Sequence, residues 1–130
     1  MVAMAKGERL DALAALRAAR ELIADPERWT RSAPARRCRQ GRGRGKGRHK
    51  GEWLPTHSTD PRAERWCAAG ALCKVSGVRS GAPGFALLDA AAVRLFGVGI
   101  GRANDDPRIG HADILRCFDE AIAASLRGTA

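Results

Sequence analysis

Asp60-Pro61-Arg62-Ala63-Glu64-Arg65-Trp66-Cys67-Ala68-Ala69-Gly70-Ala71-Leu72-Cys73 is the stretch on which the fold class turns. Asp60 has the side chain of a helix cap, Pro61 suits a first helical position, and alanines follow. The spacing predicts a helix over 61–75, with Trp66, Gly70 and Cys73 on one stripe and Ala63, Cys67 and Ala71 beside it. Gly70 among alanines predicts close approach to another helix. Upstream, Asp25-Pro26-Glu27-Arg28-Trp29 carries the same start chemistry, predicting one or two turns with Trp29 packed back on the first helix.

The flanks extend a helical reading. Leu13, Leu16, Ala19 and Ile23 recur at three- and four-residue spacing, predicting an amphipathic helix over 8–24. Phe85, Leu88, Ala92, Leu95 and Phe96 share a face, and Gly97 is placed to end that helix. Ile114, Leu115, Phe118, Ile122 and Leu126 form the stripe of a last helix beginning at His111, with Asp113 able to reach back to Gly110. Val98–Gly101 has too many glycines for a strand, and Asn104-Asp105-Asp106-Pro107 reads as a turn. Residues 30–60 show no hydrophobic period and read as an insertion, since so long a structureless loop is uncommon inside a compact domain. The expected architecture is all-α: a single domain over 1–130, a bundle of four main helices with a long basic loop between the first and second. Its expected core is Leu13, Leu16, Ile23, Trp29, Trp66, Leu88, Leu95, Ile114, Phe118 and Ile122.

The charge is concentrated. The 130 residues carry a formal net charge of +9. Eight cations lie within 36–50 (Arg36, Arg37, Arg39, Arg42, Arg44, Lys46, Arg48 and Lys50) with no acid among them. The remaining residues hold 15 basic against 14 acidic side chains. From 41 to 48 glycine alternates with a cation, a pattern that disfavours helix and leaves nothing apolar to bury. Such a run suits phosphate backbones, where each neutralised phosphate releases counterions and binding is largely sequence-blind. The eight cations are therefore candidate contacts for nucleic acid or another polyanion. The run contains no aromatic residue for base stacking; Trp29 and Trp53 only flank it.

Several function classes fall away. A (β/α)₈ barrel needs about 250 residues, and no apolar run approaches the roughly 20 residues of a membrane span. The first residues lack an apolar signal core, so a cytoplasmic protein without a membrane partner is expected. Cys38, Cys67, Cys73 and Cys117 form no Cys-x-x-Cys, and Cys67 and Cys73 stand too far apart around a helix to bridge. The last three read as small buried apolar residues. Neither phosphate-loop template fits: Gln40 and Gly47 break one around Gly45-Lys46, and Arg102 breaks the other after Gly97 and Gly99. No catalytic residue, cofactor or metal is expected.

Taken in order, Trp29-Thr30, Arg65-Trp66-Cys67-Ala68-Ala69-Gly70-Ala71-Leu72, Asn104-Asp105 and Gly110-His111-Ala112-Asp113-Ile114-Leu115 resemble a family of small uncharacterised bacterial and phage helical proteins. Its typical segments are a "WT" element, a "WCALGAL" helix and an "ND…THAEVL" helix. The chain departs at Ala103, where the family usually has Trp, and at Ala35-Arg36-Arg37-Cys38, where it has an Ala-Arg-Asp-Ala-like stretch. The resemblance implies a compact helical domain and carries no activity. The expectation is a non-enzymatic binding or accessory protein, with Trp66, Asn104, Asp105 and His111 as a surface for a ligand or protein partner. Two alternatives stand beside it: a small metal-dependent or hydrolytic enzyme centred on His111 and Asp105, in which an acid and a histidine share proton transfer, and a phage or mobile-element protein that blocks a host complex.

Overall fold

The computed structural model describes residues 11–39 and 52–128. The expected all-α architecture is not what forms: among the described residues three short strands join five α-helices. In chain order these are α1 (Ala12–Leu22), a 3₁₀ turn (Pro26–Arg28), β1 (Ala35–Cys38), β2 (Trp53–Thr56), β3 (Arg65–Trp66), α2 (Ala68–Ser76), α3 (Phe85–Phe96), α4 (Ile100–Asp105) and α5 (His111–Arg127). The strands make one antiparallel sheet in the order β2-β1-β3.

The helices with a clear period form where the pattern places them. α3 covers Phe85–Phe96 and ends on Gly97, whose φ of 79° is the left-handed conformation that glycine adopts without strain. α5 begins at His111, and the Gly110 amide donates to Asp113 Oδ2 at 3.0 Å. Asp25 accepts the Glu27 amide at 2.9 Å and starts the 3₁₀ turn. α1 takes its cap from Asp11, which accepts the Ala14 amide at 2.8 Å.

Asp60-Pro61 starts no helix. Asp60 Oδ2 accepts the Thr56 hydroxyl, and its Oδ1 accepts the Arg62 amide at 2.9 Å, closing a local turn. The chain then runs extended through Arg65 and Trp66, and α2 starts only at Ala68. Trp66 is thus a strand residue, and the stripe with Gly70 and Cys73 does not exist. A cap-like Asp-Pro pair serves a turn as well as a helix, so the local signal carried both outcomes.

Residues 30–60, expected as a loop insertion, supply two of the strands. Ala35 pairs with Thr56 and Trp66, Arg36 with Pro55 and Arg65, and Cys38 with Trp53. One position further on, the Arg39 amide donates to the Glu52 carbonyl at 2.9 Å. β1, which contains Arg36 and Arg37, is therefore paired with β2 as a β-hairpin. Beyond β3, the Thr30 amide donates to the Trp66 carbonyl at 3.1 Å, and Trp29 bridges Trp66 in parallel.

The core lies where α1 packs on α2 and α5, and α3 on α4 and α5. Leu16, Ile23, Leu72, Leu88, Ile100, Ile114 and Phe118 are fully buried, with alanines from every helix between them. Trp29, Leu95 and Ile122 pack against this core half-buried, and Leu13 stands outside it. Arg20 binds Asp119 through Nε at 2.6 Å, tying α1 to α5. Gly70 does meet a close neighbour, but not a helix. A Cβ there would lie 1.9 Å from the Pro34 carbonyl oxygen, so the segment leading into β1 presses on α2.

Candidate functional site

Asn104, at the end of α4, is 2% exposed and binds three separate segments. Its Oδ1 accepts Trp29 Nε1–H at 2.8 Å and the Ala68 amide at 3.0 Å. Its Nδ2 donates to the Thr30 carbonyl at 3.0 Å. A buried amide can make up to four bonds, and a buried one left unpaired is costly, so this side chain holds the 3₁₀ exit, the start of α2 and α4 in one register. Cys67 completes the α2 start, its Sγ accepting the Gly70 amide at 3.2 Å.

Arg31 clamps the same junction from outside. Its guanidinium donates to the Asp106 carbonyl at 2.6 Å, the Ile109 carbonyl at 2.9 Å and the Asn104 carbonyl at 3.2 Å, while lying 4.7 Å from the Trp29 ring centroid. Asp105 Oδ1 accepts the Ser32 amide at 2.7 Å, where Ser32 has a φ of 66°. His111 bonds to the end of α1, not to Asp105. Its Nε2 lies 2.7 Å from the Ile23 carbonyl, which fixes the proton on that nitrogen, and its ring sits 5.5 Å from that of Trp29.

Of the four residues expected to form one surface, the structure brings Asn104 and Asp105 to a common cleft. Trp66 is buried, its Nε1 donating to the Ser58 carbonyl at 3.0 Å, and His111 serves the α1–α5 junction. Thr30 and Arg31, which sequence reasoning left out, complete the junction. The signal was the joint recurrence of "WT" and "ND" elements, which here are direct neighbours.

The cleft has a volume of about 560 Å³ and lies between the approach to β1, α2, α4 and the loop before α3. Pro34, Gly70, Ala82, Phe85 and Ile100 give it an apolar lining, and Phe85 is 40% exposed. Cys67 and Cys73 open onto it. Burial pushes both thiols above their ordinary range, so they stand there as neutral groups. Asp105 and Arg79 provide charge, and Arg79 joins no ion pair among the described residues. No group of three or more His, Cys, Asp or Glu able to hold a metal occurs among the described residues.

The cationic residues divide. Arg36 is engaged internally, donating through Nε to Thr30 Oγ1 at 2.9 Å and through Nη2 to the Arg31 carbonyl at 3.0 Å. Arg37 is half-buried on β1, and Arg39 is exposed, 3.6 Å from Glu52. Arg42, Arg44, Lys46, Arg48 and Lys50 lie outside the described residues. No helix among the described residues is long and apolar enough to cross a membrane.

A family model, DUF6197, a family of unknown function, matches residues 8–124. No curated protein and no solved structure matches the chain.

Proposed function

The chain belongs to this family of unknown function, and from that premise we propose that it is a non-enzymatic binding protein whose specific site is the cleft beside Asn104 and Asp105. The observation that carries the reading is the chemistry of that cleft. Its thiols are held neutral by burial, its amide is bonded on both sides to backbone and Trp29, and its lining is otherwise apolar. A volume of about 560 Å³ suits a small organic molecule. The chemistry fits a ligand with an apolar body against Phe85 and Ile100 and a negative group within reach of Arg79. The cationic run adds a second, less selective affinity for phosphate backbones.

The test uses 8-anilinonaphthalene-1-sulfonate, which joins an apolar body to a sulfonate. Saturable one-to-one fluorescence enhancement is expected with the native chain. Ala69→Trp, which fills the cleft from the α2 side, abolishes it while circular dichroism and Tm stay close to wild type. Equal binding by a folded Ala69→Trp variant overturns the reading. In the same preparations, replacing Arg42, Arg44, Lys46 and Arg48 by Ala removes retention on nucleic acid at low salt and leaves dye binding intact.

A further inference from the structure

Strand pairing sorts the sheet into two faces, because paired residues point the same way and neighbours along a strand alternate. Ala35 and Trp66 share the face turned to the core, at 0% and 4% exposure. Arg36, Cys38, Trp53, Pro55 and Arg65 share the other face, and each is half-buried or exposed. That outer face contains no acidic residue.

Its two arginines part company. Arg36 reaches toward Thr30 and the Arg31 carbonyl. Arg65 reaches the opposite way and lies with its guanidinium carbon 3.9 Å from the Trp53 ring centroid. Its Nε is buried without a hydrogen-bond partner, and it joins no ion pair among the described residues. An arginine that only balanced charge would turn to a carboxylate; Glu64 is its chain neighbour. Instead the cation is held against an indole. Trp53 follows Glu52, whose carbonyl accepts the Arg39 amide, so the aromatic stands at the last described rung of the hairpin ladder.

We propose that this outer face binds single-stranded nucleic acid, with a base stacked at the Arg65–Trp53 pair and a flanking phosphate met by the Arg65 guanidinium. Guanidinium and indole planes both accept a base without reading its sequence, and the guanidinium keeps N–H groups for phosphate oxygens. Charge complementarity points to the same occupant, since a face with cations and no acid matches a polyanion. The inference rests on the polyanion affinity of the run proposed above and specifies what the polyanion must carry: unpaired bases.

The test titrates the full chain at low salt with oligothymidylate, oligouridylate and inorganic polyphosphate of matched charge, following tryptophan fluorescence and affinity. Quenching by either oligonucleotide but not by polyphosphate is expected, and the preferred sugar distinguishes RNA from DNA. Base–aromatic stacking contributes enough that Trp53→Leu should weaken oligonucleotide binding by about five-fold or more, with polyphosphate binding unchanged and Trp53→Phe largely restoring the loss. Arg65→Lys, which keeps the charge and removes the plane, serves if Trp53→Leu fails to fold; it should lose the preference for oligonucleotide over polyphosphate. Equal affinity for oligonucleotide and polyphosphate overturns the stacking site and leaves the cationic run as a polyanion binder. Binding of neither ligand overturns both.

Discussion

Replacing Asn104 by Ala removes one side chain and strands three buried partners. Trp29 Nε1–H and the Ala68 amide lose their acceptor, and the Thr30 carbonyl loses its donor. Each unsatisfied buried group costs about 1–3 kcal/mol. Partial relaxation makes the sum smaller than three full penalties, and a loss of about 3–6 kcal/mol follows, against a total stability of about 5–15 kcal/mol for a domain. At this chain length that corresponds to a Tm lower by roughly 10–25 °C. Urea unfolding followed by tryptophan fluorescence and by circular dichroism measures it. Trp29→Phe provides an internal check, since it removes one of the three donors or acceptors in advance. In that background the Asn104→Ala penalty should fall by about 1 kcal/mol. A loss below about 1 kcal/mol in the native background, or strict additivity of the two changes, would refute the claim that Asn104 organises the junction.

Two other outcomes follow from local geometry. Gly70→Ala should destabilise the fold by about 1–3 kcal/mol or more, because its Cβ would fall 1.9 Å from the Pro34 carbonyl oxygen; urea midpoints report it, and a neutral substitution would show that the approach to β1 is free to move. Asp60 is held below the usual carboxylate range first by the Thr56 hydroxyl, then by the Arg62 amide, with the Arg62 guanidinium adding to the effect. Its contribution to stability is present above the unfolded value of about 4 and is lost as pH falls through the depressed folded value. Asp60→Asn should therefore lower the urea midpoint at neutral pH, with the difference from wild type shrinking below about pH 4. A difference that persists unchanged into acid would assign Asp60 no electrostatic part.

How much was legible in the sequence depended on whether the controlling interaction was local. α3 and α5 were readable because each carries a full apolar stripe and its own end signals, Gly97 in one and Asp113 in the other. The strands were not. β3 is two residues long, β1 is two arginines between alanine and cysteine, and β2 contains Pro55, so no alternation could develop. They exist because each finds backbone partners far along the chain, 21 positions away in the register pair Ala35–Thr56 and 31 in Ala35–Trp66. α4 was hidden by Gly99 and Gly101 and is supported from a distance, the Ile100 amide donating to Asp89 Oδ1 at 2.8 Å. In the candidate site, Asn104 and Asp105 were identifiable as unusual, but the cleft walls Phe85, Arg79 and Pro34 carried no signal, since a concave surface belongs to no single segment.

By itself the sequence determined the apolar stripes of α1, α3 and α5, the segregation of charge into residues 36–50, and Cys73 and Cys117 as small buried groups, burial pushing the Cys117 thiol up to about 11, whereas Cys67 is half-buried and caps α2. All of these depend on side chains within a few turns of one another or on composition. Only the tertiary structure decided that Asp60 makes a turn, that Arg36 and Arg37 lie in a paired strand, and that Asn104 ties Trp29 to Ala68. Those outcomes rest on buried polar groups finding partners far along the chain, and satisfying them is a condition on the whole fold that no local window contains.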